Sequence, residues 1–187
     1  ELIKKAVIET KGERVIFKNP VNTARIDKLL KLYPDAKFLY IYRNPITVFF
    51  STQRFFQQLN PTLWLHEVDN QFIDKMIFDI YNRLMNDYLE LKSLIPEGNL
   101  MEIRFEEFEQ NPVKEMEHIY SSLLNEDFEE VKQNFSKYLN TQKSHKKNKY
   151  LVEADTIAEI RKNLGKYIEM YDYELPDDIQ IKTPAEE

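Results

Sequence analysis

The chain has 187 residues, 42% of them hydrophobic and 13% aromatic, with a formal net charge of −6. That length and composition suit one globular domain rather than a disordered chain. The acidic balance argues against general nucleic-acid binding, the absence of Cys excludes disulfides and thiolate metal sites, and no apolar run nears the roughly 20 residues a membrane span needs.

The opening, Glu1 to Lys5, does not read as a signal peptide. With no Cys and no such leader, the expectation is a cytoplasmic protein; with no Met at position 1, it is also a piece of a longer one. Val15-Ile16-Phe17 is a short apolar run ending at Lys18-Asn19-Pro20, which predicts a buried strand. Asn22 or Thr23 can cap a helix running to Tyr33, which Pro34-Asp35 stops. Phe38 to Tyr42 is a continuous apolar strand of the kind parallel sheets bury on both faces. Pro45 suits the first turn of a helix to about Gln58, broken by Asn60-Pro61.

The longest helical pattern runs from about Leu65 to Ile95, with Phe72, Met76, Ile80, Leu84 and Tyr88 predicted as its buried stripe. Leu100 to Phe105 reads as a third strand. Helices are expected from Asn111-Pro112 to about Leu124, from Glu126 to Leu139, and from a cap at Asp155 to Met170. The order of strands and helices implies an α/β fold: a small parallel sheet flanked by helices in a single domain over residues 1–187. Ligands of such sheets bind at the carboxyl ends of the strands, where Lys18, Arg43 and Arg104 fall.

Three segments carry chemistry. Arg43 is delivered to the end of a buried strand with a helix start immediately behind it, and Ser51 lies about two turns along that helix. A forked guanidinium and a hydroxyl beside a helix N-terminus suit a phosphate. Arg104-Phe105-Glu106-Glu107-Phe108 leads into Asn111-Pro112. Between Lys137 and Lys149 lie five lysines and His145 with no acid, either a solvated basic loop or a flap over a small anion. His66, His118 and His145 have no metal-ligand spacing. Trp64, Phe55 and Phe56 read first as core residues, and secondarily as the lining of a cleft.

The segment Tyr33 to Pro45, with Ser51 beyond it, resembles the PAPS-dependent sulfotransferase family, nearer its bacterial and Golgi-type members than the cytosolic ones. The resemblance covers about residues 14–175. It implies a P-loop-NTPase-like architecture and transfer of a sulfuryl group from 3′-phosphoadenosine-5′-phosphosulfate (PAPS) to a hydroxyl or amine. The acceptor would be a glycan, a lipid or a protein hydroxyl, and no metal is required. Arg43 and Ser51 would bind the 3′-phosphate. Phe105 stands where the family has an adenine-side Tyr, and so lacks the hydroxyl. Lys146 and Lys147 would belong to the basic flap. Lys18, by position a solvent lysine on its own residues, would meet the transferring sulfuryl group as the catalytic cation.

The sequence also departs from the family. Nothing in it resembles the Gly-containing loop of the Pro-Arg-Ser-Gly-Thr-Thr type that wraps the 5′-phosphosulfate, and the whole chain holds only three glycines. The expectation is therefore an N-terminally truncated sulfotransferase, inactive alone. The alternatives are a non-catalytic binding module derived from that family and a related kinase-like nucleotide-binding domain.

Overall fold

The computed structural model describes residues 5, 8–9, 14–63, 65, 68–142 and 148–182, with backbone alone at 60 and 61. A 3₁₀ turn over Pro20–Ala24 is capped by Asn19, whose Oδ1 accepts the Val21 N–H at 3.0 Å. The elements that follow are α1 (Ile26–Leu32), β1 (Phe38–Tyr42), α2 (Pro45–Leu63) and α3 (Asn70–Leu91). Then come β2 (Leu100–Arg104), α4 (Phe105–Gln110), α5 (Pro112–His118) with a π-helical turn over Ile119–Leu124, and α6 (Glu129–Gln142). The chain continues through β3 (Tyr150–Val152), α7 (Ala154–Met170) and β4 (Ile179–Ile181).

The expected α/β fold with small parallel sheets is present. Strands β1 and β2 pair in parallel with Phe38 opposite Leu100 and Tyr42 opposite Arg104. A second parallel pair, β3 with β4, was not apparent in the sequence. Three residues per strand are too few to show a two-residue period.

The core lies among α2, α3 and α7. Ile46, Phe49 and Phe50 meet Ile73, Ile77, Phe78 and Met85, and Ile157, Ile160, Leu164, Tyr167 and Ile168 close the third side. The ring of Phe49 stacks on that of Phe78 with centroids 4.8 Å apart. Burial of this many aliphatic and aromatic groups is the main force holding the three helices together. The sheet is fixed to the same core through Tyr40, whose ring stacks on Tyr88 of α3 at 3.9 Å.

Several expectations fail in instructive ways. Val15-Ile16-Phe17 is not a strand: it has no regular secondary structure and is exposed, with Ile16 86% accessible. An apolar triplet becomes a strand only where another strand takes its backbone groups, and none of the described residues does so. Arg14 pairs instead with Glu126, and the Phe17 ring packs 5.7 Å from that of Tyr33. The buried stripe of α3 is also displaced. Phe72 and Ile80 are 55% and 45% exposed, while Ile73 and Ile77 are buried. Each four-residue step overshoots a helical turn by about 40°, so a row of five wraps about 160° around the helix and cannot stay on one face.

Helix α2 passes through Asn60-Pro61 to Leu63, so those residues shorten the helix less than their types suggested. The Gln57 amide donates to Asn70 Oδ1 at 3.0 Å and ties its last turns to the start of α3. Helix α7 begins one residue before Asp155, with Glu153 at the cap position. Asp155 sits in the first turn, where a carboxylate meets the positive end of the helix dipole.

A titratable group, Asp74, lies between α2 and α3. Gln53 Nε2 donates to Asp74 Oδ1 at 2.6 Å. Burial raises the Asp74 carboxyl above the ordinary range, with the Gln53 bond opposing and Glu159 adding to the rise. A carboxyl with a raised folded pKa binds its proton more readily in the folded state, so its charged form costs stability at neutral pH. That cost fades as pH falls through the raised folded-state value and is gone below the unfolded carboxylate value. Asp74→Asn, which keeps an acceptor for Gln53, should therefore raise Tm at neutral pH and leave it unchanged near about pH 3. Thermal melts at the two pH values check this, and a lower Tm for the variant at neutral pH would contradict it.

Candidate functional site

The parallel register of β1 and β2 brings their carboxyl ends to the same place. Arg43 leaves β1 there, and Arg104 ends β2 with Phe105 opening α4. The Arg43 guanidinium lies over the Phe105 ring, 4.6 Å from Cζ to centroid. Two of the residues singled out from sequence are thus in direct cation–π contact. Among the described residues no carboxylate pairs with Arg43, so its forked donors are open to an anion.

Asn44 makes the turn into α2. It is 5% exposed, and its hydrogen-bonding groups are all engaged. Its Oδ1 accepts the Ile46 N–H at 3.0 Å and its carbonyl the Val48 N–H at 3.0 Å. Its Nδ2 donates to the Glu174 carbonyl at 2.8 Å, and its backbone N–H donates to Glu106 Oε1 at 3.1 Å. Asn at the cap and Pro45 at the first helical position are the residues a helix start prefers. The corner that presents Arg43 is consequently fixed on three sides.

Glu106 and Arg104 complete the corner. Glu106 Oε2 accepts from the Tyr173 hydroxyl at 2.9 Å. Arg104 Nη2 donates to the carbonyls of Tyr171 and Asp172 at 2.6 and 2.8 Å, and its guanidinium lies 4.2 Å over the Tyr173 ring. The Tyr171-Asp172-Tyr173 turn, with Asp172 at φ 51°, is thereby bound to the end of β2. Burial, with the Glu106 bond adding, raises the Tyr173 hydroxyl. Burial, followed by nearby Glu102, pushes Tyr171 up to about 12. Both phenols stay protonated, so Tyr173 is a lasting donor to Glu106.

The other candidates are placed differently. Ser51 is exposed on the second turn of α2, on the side that also carries Thr47 and Arg54. Lys18 is exposed in the irregular segment before the 3₁₀ turn. The strand that would have aimed it is not formed, and among the described residues it makes no hydrogen bond or ion pair. Lys146 and Lys147, like Trp64, His66 and His145, lie outside the described residues. Phe55 is 54% exposed rather than a core residue.

Sequence reasoning missed Asn44, Glu106 and Tyr173 as the residues that build the corner, and Arg54 as a neighbour of Ser51. Asn44 and Glu106 stand beside Arg43 and Phe105 in the segments quoted above, so adjacency was the available clue.

An open guanidinium lies at the paired strand ends beside a rigid helix start, and an exposed hydroxyl stands on the second turn of that helix. The sequence profile of the Sulfotransferase family matches residues 2–130. The chain belongs to the sulfotransferase family. The matched span includes Lys18, Arg43, Ser51 and Phe105, and ends before the lysine-rich run.

Among similar proteins are the omega-hydroxy-beta-dihydromenaquinone-9 sulfotransferases Stf3 of Mycobacterium bovis and Mycobacterium tuberculosis. Each is 28% identical over 160 residues, which are 86% of this chain and 41% of the relative. The crystal structure of the sulfotransferase STF9 from Mycobacterium avium superposes with a TM-score of 0.71 at 18% identity, over 85% of this chain and 42% of that one. That likeness shows the shared fold. This sulfotransferase-family chain spans about two-fifths of the length of these relatives.

Glu106 gives the corner its first test. Glu106→Ala removes both acceptors from a charged group and should lower the stability of the folded chain by about 1.5–3 kcal/mol. Glu106→Gln keeps one acceptor oxygen and should recover most of the loss. Urea unfolding of the three proteins checks this; indifference to the alanine variant would show that the corner does not depend on Glu106.

Proposed function

We propose that this protein is a sulfotransferase using PAPS, and that the chain supplies the half of the donor site that holds the 3′-phosphate. The observation that carries the reading is Arg43. Its guanidinium is fixed on Phe105 at the shared carboxyl end of two parallel strands, with no acid among the described residues neutralising it, beside the Asn44-capped start of α2. A phosphate there would gain a forked cationic donor, and Ser51 would add a hydroxyl.

Phe105 holds Arg43 through one ring face, which makes orienting the guanidinium its first role and packing near adenine its second. Lys146 and Lys147 belong to the basic segment assigned to the same phosphate. Lys18 is proposed to stabilise charge at the leaving sulfuryl group, where a fixed cation acts most strongly. The acceptor group we favour is a hydroxyl, in keeping with relatives named for an omega-hydroxy menaquinone. A glycan or a protein side chain would present the same chemistry. When bound, PAPS supplies the activated sulfuryl group; the residues here bind and orient its nucleotide end.

Calorimetric titration with adenosine 3′,5′-bisphosphate at low salt tests the half-site. Arg43→Ala should weaken binding roughly 10- to 100-fold, the loss of a charge-assisted hydrogen bond to phosphate. Equal binding by both proteins overturns the assignment. A second measurement concerns turnover. Catalysis needs donors aimed at the 5′-phosphosulfate, and Arg43 and Ser51 address the other phosphate. The 187-residue polypeptide by itself should therefore bind nucleotide and transfer no label from PAPS to a panel of hydroxyl acceptors. Turnover would show that Lys18 and its neighbours suffice.

A further inference from the structure

Arg43 keeps its charge uncancelled although an acid is bonded to the residue beside it. Glu106 Oε1 accepts the Asn44 N–H at 3.1 Å, and that N–H belongs to the peptide joining Arg43 to Asn44. The ring that carries the Arg43 guanidinium is Phe105, the residue before Glu106. The carboxylate is therefore tied to the backbone of Arg43 on one side and adjoins its aromatic platform on the other. An arginine stem is flexible enough to fold back towards an acid at its own peptide, and guanidinium and carboxylate make a strong forked pair when both oxygens are free. Among the described residues no such pair forms at Arg43.

The second oxygen of Glu106 is held by Tyr173, whose hydroxyl donates to Oε2 at 2.9 Å. Each carboxylate oxygen thus has one donor, and neither donor is Arg43. Tyr173 is itself held from several directions. The Arg104 guanidinium lies over its ring, and Tyr42 meets that ring edge-on with centroids 6.4 Å apart. Its N–H donates to the Ile168 carbonyl in the last turn of α7 at 2.9 Å. The next residue, Glu174, gives its carbonyl to the Asn44 side chain at 2.8 Å. A phenol anchored in this way does not follow the carboxylate towards Arg43. Its ring contacts do not need the hydroxyl, whose partner is the carboxylate alone among the printed bonds of the corner.

We infer that Tyr173 is a positioning residue of the nucleotide site: by holding the second oxygen of Glu106 it keeps that carboxylate from pairing with Arg43, and so leaves the guanidinium to the 3′-phosphate. This rests on the 3′-phosphate reading of Arg43. Tyr173 needs no contact with the nucleotide for this role. Without the hydroxyl, Glu106 Oε2 is free to accept from Arg43, and a phosphate then has to displace a carboxylate in order to bind.

Calorimetric titration with adenosine 3′,5′-bisphosphate at low salt, on variants confirmed folded by thermal melting, tests the inference. Tyr173→Phe keeps the ring and removes only the hydroxyl. It should weaken binding about three- to fivefold, the strength of the exposed ion pair that it allows to form. Glu106→Gln, whose amide carries no charge to compete for Arg43, should raise affinity more in the Tyr173→Phe protein than in the wild type, because the two residues act on one contact. A purely structural role gives no such rescue, since the double variant removes more of the corner than either single one. In an Arg43→Ala background Tyr173→Phe should leave affinity unchanged. A second readout needs no ligand: the Arg43 Nε–H resonance should shift in Tyr173→Phe and return when Glu106→Gln is added. Wild-type affinity for Tyr173→Phe, an equal effect of Glu106→Gln in both proteins, or an unmoved Arg43 resonance overturns the inference. Equal binding by wild type and Arg43→Ala overturns the nucleotide reading itself. Loss on Arg43→Ala without loss on Tyr173→Phe overturns this inference alone.

Discussion

Glu106 accepts two hydrogen bonds, from the Asn44 backbone and from the Tyr173 hydroxyl, and the geometry around Arg43 depends on both. The first fixes the point where β1 turns into α2. The second draws in the turn after α7. Because Phe105 is the residue before Glu106, holding the carboxylate also holds the ring under Arg43. A guanidinium on a flexible stem would otherwise pay rotamer entropy on binding. Here the strand end, the helix cap and the aromatic face meet that cost during folding, which is the physical meaning of a preorganised site.

The second arginine at the strand ends does different work. Arg104 looks like a ligand residue from its position alone. Its Nη2 donates to two carbonyls of the Tyr171–Asp172 turn, and its flat face is covered by Tyr173. Arg43 and Arg104 end adjacent parallel strands and are opposite in availability. Partner inventory, rather than placement at a strand end, separates a binding arginine from a structural one.

Much of this was legible beforehand. The β1 strand, its turn at Asn44-Pro45 and the β2 strand follow from continuous apolar runs bounded by residues that stop or cap. The same runs bring Arg43 and Phe105 to one end of a parallel pair. What could not be read was whatever depends on a distant partner. Val15 to Phe17 has the composition of a strand and, among the described residues, lacks a neighbour to make it one. Strands β3 and β4 are too short to declare themselves, and they form because Tyr150 stacks on Phe50 and the Asp178 carbonyl meets the Tyr150 N–H. The α3 stripe was misjudged by period alone. The bond from Arg54 to Asn148 carried no local mark, since the two residues stand 94 positions apart.

The bond from the Asn44 amide to the Glu174 carbonyl spans 130 positions, and it bears on how the molecule reaches its native form. Closing so long a loop costs entropy before any contact repays it, and folding slows as contacts become less local. The helices α2 and α3 adjoin in sequence and can pack early. The corner that presents Arg43 cannot close until Glu174 has left the ribosome and α7 has docked. A chain interrupted anywhere between those points would keep helices and lose the corner, so competence to bind should appear as the last event of folding, after most of the helical content is already in place.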